Sequence, residues 1–125
     1  MKNTHEMKLN ASPFEMIKIG VKSIELRLYD EKRQKIKIDE TIIFTNTLTG
    51  EKIRTTVKGL HRFVSFEELY RALPLLKCGY TSDDVDTARP SDMEEYYSAK
   101  EQKKYGVVGI ELLHETNGTS NVPCI

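Results

Sequence analysis

The amino-acid sequence predicts a small α+β domain, in which a curved β-sheet or small barrel carries helices packed on its outside. Short segments of alternating apolar and polar residues, typical of half-buried strands, outnumber the helical segments. Capped helical segments interrupt them once early in the chain and again late. The length of 125 residues and the 38% of hydrophobic residues suit one domain with its own hydrophobic core.

The elements follow in chain order from these patterns. Residues 5–9 alternate as a first strand, and Ser12-Pro13-Phe14-Glu15 predicts a capped helix over 13–19 that ends at Gly20. The same Ser-x-x-Glu pattern predicts helices over 66–73, stopped by Pro74, and over 92–100, which can extend to 104. The remaining strands are expected at 23–29, 36–38, 41–45, 52–58 with a continuation toward 63, and 107–113.

Two segments lie outside these elements. Residues 77–90 form a long polar loop, and loops of that length in compact domains are commonly functional or mobile. Its acidic part lacks the glycine and the distal glutamate of a calcium loop, so it is expected to be solvated. Residues 115–125 are expected to be a flexible tail, so the single domain 1–125 has its core at about 5–114.

Composition excludes several classes of protein. Lysine plus arginine total 19, as do aspartate plus glutamate, so no global basic field is available to grip long duplex nucleic acid. Two cysteines, Cys78 and Cys124, without a CxxC pattern give no support for a disulfide framework or a zinc site. No metal or cofactor is expected. The polar amino terminus and the lack of a long apolar run predict a cytoplasmic location without a membrane segment.

The segment 20–27, Gly-Val-Lys-Ser-Ile-Glu-Leu-Arg, carries the candidate chemistry. Lys22 occupies a helix-to-strand turn, and Glu25 and Arg27 share one face of the strand because side chains two apart point the same way. Arg27 can grip a phosphate or carboxylate, Glu25 can accept hydrogen bonds from a base edge, and Lys22 beside Arg27 is a candidate base or nucleophile. The alternative is a strand of alternating charge whose Glu and Arg pair at the surface.

Other polar and aromatic residues have weaker signals. Tyr96 and Tyr97 on the late helix can stack on a base or pack in the core with a solvated hydroxyl, and one of them is expected in the core. The basic stretch 32–37 can track phosphates or form a solvated turn. The histidines lack metal-ligand spacing and are interpreted as surface or hydrogen-bonded residues, namely His5, His61 and His114.

The pattern Gly20-x-Lys22-x-x-Glu25-x-Arg27, after a Pro13-Phe14 helix start, resembles the signature of the ASCH domain, the activating signal cointegrator homology domain. Residues 105–110 likewise resemble the closing strand of bacterial and archaeal members, and the similarity runs from about 5 to 113. The resemblance implies a small barrel like that of RNA-binding PUA domains. It also implies a cleft beside the segment that takes single-stranded RNA or a modified nucleoside. The predicted ligand-binding residues are Lys22, Ser23, Glu25, Arg27 and Tyr97.

A small hydrolase is the alternative function. One bacterial branch that the sequence resembles deacetylates acetylcytidine, with a lysine at the position that matches Lys22, a threonine and a glutamate. Glu25 stands here in place of that threonine, and Ser23 is the only hydroxyl beside Lys22. Lys22 and Glu25 are thus the candidate catalytic residues for such a deacetylase or a ribonuclease, and a module for a protein partner is a third interpretation. The branch's glutamate matches only by region, to Glu94, Glu95 or Glu101.

Overall fold

The structure, a computed structural model, describes residues 2–114. The predicted tail and Cys124 lie outside these residues. Short 3-10 segments lie between α3 and α4, at Leu75–Lys77, Val85–Thr87 and Pro90–Glu95. The helices and strands are, in chain order, β1 (Thr4–Leu9), α1 (Ala11–Lys18), β2 (Ile24–Leu28), α2 (Glu31–Gln34), β3 (Thr41–Asn46), β4 (Lys52–Phe63), α3 (Phe66–Ala72), α4 (Ala99–Tyr105) and β5 (Val107–His114).

The strands form one mixed sheet of five, in the order β1-β3-β4-β5-β2. β1 pairs in parallel with β3, and the other neighbouring strands are antiparallel. A register shift between Val57 and Gly59 interrupts the long strand β4, and such bulges bend a strand and increase its twist. The sheet curves into a half-barrel with the helices outside, which confirms the predicted α+β class and barrel-like architecture.

The larger core lies between one face of the sheet and α1. Alternation along the strands directs one side chain in two toward this face, including Phe44 of β3 and Ile110 of β5. Phe14 and Ile17 of α1 complete the core, and both are almost inaccessible to solvent. Burying each such side chain contributes about 1.5–3 kcal/mol, so this contact holds α1 against the sheet and positions the polar segment that follows it.

A second core covers the other face of β2 and β5. Ile24, Leu26 and Leu28 pack there against Phe66 and Leu69 of α3. β5 has Gly109 at the point of closest approach, where an added Cβ would lie 2.6 Å from Leu73 Cδ1. β2 is therefore buried on both faces, so any polar residue on it is taken out of water.

Two of the predicted helix starts are wrong. α1 begins earlier, at Ala11 after Asn10, so Ser12 lies inside the first turn and does not cap it. Residues 90–95 form a 3-10 segment instead of an α-helix started by Ser91. The Asp92 carboxylate accepts the Arg89 backbone N–H at 3.0 Å, which stabilises the first turn of this 3-10 segment.

Other helix boundaries agree with the sequence pattern. Ser65 accepts the Glu68 backbone N–H at 3.3 Å and starts α3 as predicted. α4 begins with a capping box that was not predicted. In it, Ser98 and Glu101 each accept the other's backbone N–H. Gly20 follows the end of α1 with φ +89°, the left-handed conformation that favours glycine.

The predicted strand at 36–38 is also wrong. Asp30 accepts the Arg33 backbone N–H at 3.1 Å and starts the short helix α2 in this region. Beyond α2 the chain turns, and Ile36 inserts alone into the larger core. Ile36 therefore fixes this segment by its burial, in place of the strand pairing that was expected.

Glu40, buried beside β1, links the start of β1 to the segment before β3. Its Oε1 lies 2.7 Å from His5 Nε2 and accepts the Lys37 backbone N–H, and its Oε2 accepts the Asn3 backbone N–H at 3.1 Å. The bond with His5 is the largest of the causes that lower the pKa of Glu40 from 4.5 to about 2. The carboxylate form is thus selectively stabilised by folding.

Glu40→Gln is expected to flatten the dependence of stability on acid pH. A carboxyl group with a lowered pKa contributes stability that is present above its unfolded pKa, 4.5, and is lost as pH falls toward about 2. Urea unfolding at a series of pH values measures the slope. The exposed Glu94→Gln is the control and should keep the wild-type slope, whereas a wild-type slope in Glu40→Gln would contradict the assignment.

Candidate functional site

A cleft of about 470 Å³ opens where the two edge strands of the sheet, β1 and β2, approach each other. One wall comes from the end of β1 and from α1, and the other comes from α3 and the segment between α3 and α4. The floor is made by β2. The lining residues are Lys8, Leu9, Asn10, Ser12, Pro13, Met16, Lys22, Glu25, Leu26, Arg27, Thr47, Tyr70, Cys78, Gly79, Tyr80, Asp84, Met93, Tyr96 and Tyr97.

The turn after α1 presents Lys22 to this cleft. The backbone N–H groups of Val21 and Lys22 both donate to Met16 O at 3.0 Å, which folds the chain back over the last turn of α1. The Ser23 backbone N–H then donates to Lys77 O at 2.9 Å, and β2 begins at the next residue. Local hydrogen bonding therefore fixes the position of Lys22 relative to β2.

Lys22, Glu25 and Arg27 form a buried charge cluster on the floor. Lys22 Nζ lies 2.9 Å from Glu25 Oε1, and Arg27 Nε donates to Glu25 Oε2 at 2.7 Å. Their side chains are 10%, 6% and 13% exposed, respectively. The sequence placed these residues together correctly, but Lys22 contacts Glu25 rather than Arg27, and the pair of Glu and Arg is not at the surface.

Opposite charges in the cluster hold Glu25 and Arg27 in their charged forms. Burial opposes ionisation of Glu25, but the charges of Lys22 and Arg27 outweigh it and hold the pKa of this carboxyl below its usual value. Burial likewise opposes the charge of Arg27, and the Glu25 carboxylate outweighs it, with a further contribution from Tyr97, so the pKa of Arg27 is raised. The floor thus carries two cations and one anion.

Glu25 Oε1 is enclosed within the cluster. Lys22 Nζ lies 2.9 Å from it, and this oxygen has almost no contact with solvent. Buried carboxylate oxygens normally have a polar partner, because leaving one unpaired costs free energy. The contact between Lys22 and Glu25 is therefore part of the floor of the cleft.

Arg27 also joins the two edges of the half-barrel. Its second terminal nitrogen donates to Lys8 O at 3.0 Å, across a gap that no strand pairing closes. One planar guanidinium therefore orients Glu25 and tethers β1 at the same time, which the fork of an arginine can do and a point charge cannot.

Tyr97 and Tyr96 lie on the far wall. Tyr97 stacks on Phe66 of the second core, with ring centroids 6.1 Å apart and planes at 16°, and it also lines the cleft. Tyr96 is 61% exposed at the rim. Of the two tyrosines, Tyr97 is thus the one in the core, while both rings border the cleft.

The long loop completes this wall. Tyr80 donates to Asp92 Oδ2 at 2.7 Å and shares a hydrogen bond with Tyr70 of α3 at 2.7 Å, which fixes the loop against α3. Gly79, at φ +110°, lies against the stem of Lys22. Tyr70 and Tyr80 were not predicted as cleft residues. The length of the polar loop was an available signal for Tyr80, whereas Tyr70 lies on α3 and had none.

Other predicted site residues lie elsewhere. Ser23 does not line the cleft and borders a separate hollow of about 340 Å³ beside Ile19 and Leu113. Of the histidines, His5 contacts Glu40 and His61 contacts Glu111, and neither lines the cleft. The three glutamates matched by region to the hydrolase branch also do not line it, namely Glu94, Glu95 and Glu101.

Residues 2–114 contain no group of three His, Cys, Asp or Glu side chains that could hold a metal ion. No helix in that range has the length and apolar character needed to cross a bilayer. The thiol of Cys78 is buried in the cleft wall, and burial raises its pKa to about 11.

Comparison with known proteins identifies the family. The model of the ASCH domain matches residues 7–115. The crystal structure of the hypothetical protein PH0355 is similar, with 36% sequence identity and a TM-score of 0.74 over 90% of this chain and 100% of that one. The solution structure of protein PF0455 from Pyrococcus furiosus has 33% identity and a TM-score of 0.69, over 92% of this chain and 100% of that one. Curated proteins gave no significant match. The match over most of the chain, with the signature residues gathered in one cleft, means that the chain belongs to the ASCH domain family.

Proposed function

We propose that the domain binds single-stranded RNA, or a modified nucleoside, in the cleft between β1 and β2. The observation that carries this proposal is the buried cluster of Lys22, Glu25 and Arg27, which opens into a cavity walled by tyrosines. Burying charged side chains costs free energy that their mutual attraction only partly offsets, and ionisable groups with perturbed pKa values in a cleft are typical of functional sites.

The chemistry of the cleft suits an unpaired nucleotide. Its volume falls in the range of small-ligand pockets, roughly 300–1,000 Å³, and is too small for a duplex. Tyr96 and Tyr97 offer aromatic faces for a base. The two cations of the cluster attract the negative charge of a phosphate. Membership in a family that resembles RNA-binding PUA domains supports the same assignment.

The contacts of Lys22 favour binding over the hydrolase alternative. Lys22 Nζ is engaged by the Glu25 carboxylate at 2.9 Å, and this contact would have to be broken before Lys22 could attack a substrate. In this proposal Lys22 is an electrostatic anchor for a ligand.

Lys22→Met is expected to weaken binding of nucleosides and short RNAs at least about tenfold, because a lost charged contact costs about 1.5–3 kcal/mol. Methionine keeps most of the apolar stem of the side chain. Calorimetric titration measures the affinity, and thermal shift reports stabilisation by the ligand. Lys18→Met is the matched control, because Lys18 borders the separate hollow and not the cleft.

The proposal fails if both variants bind like wild type, or if no nucleoside or RNA stabilises the wild-type domain. Chromatography of the same mixtures detects turnover. Deacetylated or cleaved product that disappears in Lys22→Met would instead support the hydrolase.

A further inference from the structure

The outward face of β1, β3 and β4, opposite the larger core, is exposed and basic. Along β4 the odd-numbered residues from 53 to 57 are buried, while the even-numbered ones alternate outward. The side chains on this face of the three strands include one acidic residue, Glu6, against three basic ones, Lys8, Lys52 and Arg54. Exposed Lys58 follows at the bulge of β4, beside Asp39. Because the chain as a whole has no net charge, this concentration of positive charge is local.

Strand register connects this face to the cleft. Lys8 pairs with Thr45, and Thr45 pairs with Lys52, so the three residues form one row across β1, β3 and β4. Neighbouring strands lie about 4.8 Å apart, which places the two lysines roughly 10 Å from each other along the row. Lys8 also lines the cleft, so the row begins at the cleft mouth.

A hydrogen bond within the row positions the side chain of Lys52. Lys52 Nζ donates to Thr45 Oγ1 at 2.8 Å, which holds the ammonium over β3 on the side toward Lys8. Farther along β4, Lys58 is exposed at the bulge, and its contact with Asp39 is long, at 3.9 Å, and solvent-exposed. Such exposed pairs contribute little, so Lys58 can exchange this partner for another anion at small cost.

The basic stretch 32–37, the other candidate for contact with phosphates, is engaged in the fold at two of its cations. Lys32 Nζ donates to Glu6 O at 2.9 Å, and Arg33 pairs with Asp30 at 3.0 Å. The Lys32 contact fastens α2 to the edge of β1, and the Arg33 contact is local to the start of α2. The exposed row on the sheet is therefore better suited to meet a ligand than this stretch.

We infer that this sheet face is a phosphate track. It would carry the backbone of single-stranded RNA away from the cleft, past Lys8 and Lys52 toward Lys58. This inference rests on the proposed function, because the RNA enters the track from the nucleotide held in the cleft. Lysine suits the role, since its flexible ammonium contacts phosphates without reading sequence.

Salt dependence of binding tests the track. Fluorescence anisotropy with a dinucleotide and with an RNA long enough to cross the sheet gives both affinities over a range of KCl concentrations. For Lys52→Gln/Lys58→Gln, the slope of log affinity against log salt for the long RNA should fall by about 1.4, since each single-strand phosphate contact contributes about 0.7. Dinucleotide affinity should stay unchanged.

Lys100→Gln/Lys103→Gln is the matched control, because both lysines are exposed on α4, away from the sheet face, and it should keep the wild-type slope. The track is overturned if the dinucleotide binds but Lys52→Gln/Lys58→Gln leaves the long-RNA slope unchanged. It is also overturned if both double variants lower that slope equally, which would indicate a diffuse charge effect. If neither RNA binds the wild-type domain, the proposed function and the track fail together.

Discussion

Glu25→Gln is expected to lower the free energy of unfolding by about 3–5 kcal/mol. The glutamine is nearly the same size, so the change removes charge rather than volume. It leaves Lys22 and Arg27 facing each other in a buried site without the carboxylate that lies 2.9 and 2.7 Å from them. Unpaired buried charges are among the few causes of so large a loss, which is a sizeable part of the stability of an ordinary domain.

Urea unfolding at neutral pH measures this loss. Glu111→Gln is the matched control, because Glu111 contacts His61 at 3.0 Å but both side chains are well exposed. An exposed pair contributes about 0–1 kcal/mol, so the control should stay close to wild type. A loss below about 1 kcal/mol for Glu25→Gln as well would mean that water screens the charges of the cluster and that it is not buried.

Arg27→Lys is expected to lower the free energy of unfolding by about 1.5–3 kcal/mol although the charge is kept. A lysine ammonium cannot meet Glu25 Oε2 and Lys8 O with the geometry of the arginine fork, so one of the two bonds is lost. If the bond to Lys8 O is lost, the edge of β1 opens, and its amide protons should exchange faster with solvent.

Hydrogen exchange resolved by residue, together with urea unfolding, checks this result. Arg71→Lys on α3 provides the control, since Arg71 pairs with Glu67 on an exposed helix surface. Equal protection of β1 amides in Arg27→Lys and wild type would show that the guanidinium does not hold the edges of the half-barrel together.

The polar segment after α1 could be predicted because its geometry is local. Gly20 ends a helix, Lys22 follows in the turn, and strand alternation puts Glu25 and Arg27 on the same face. Their burial could not be predicted in this way. It arises because α3, far along the chain, covers the opposite face of β2 and the segment after α3 closes over the cluster.

Helix starts show a second limit of sequence patterns. Ser-x-x-Glu occurs at Ser12, Ser65, Ser91 and Ser98, but only Ser65 and Ser98 cap α-helices. At the other two positions the chain starts differently. α1 begins after Asn10, and the 3-10 segment begins with the Arg89 backbone N–H bonded to Asp92. Capping contributes only about 1 kcal/mol, so tertiary packing decides between competing starts.

The walls of the cleft depend on contacts between distant segments. Arg27 reaches Lys8 O because β1 and β2 are the two edges of one curved sheet, a relation that depends on strand order. Tyr80 reaches the wall because its hydroxyl contacts Tyr70 and Asp92, which hold an irregular loop in place. Hydrophobic periodicity carries no information about such loop positions. The place of these residues in the cleft could therefore be recognised only in the folded structure.

The most direct test of the binding cleft is a titration of the isotope-labelled domain with a short single-stranded RNA, followed by backbone amide chemical shifts. We expect the largest changes at residues 22–27, 79–80 and 96–97, which surround the charge cluster and the tyrosine wall. Changes confined to the separate hollow around Ile19 and Leu113, or no changes at saturating RNA, would contradict the assignment of this cleft as the nucleotide site.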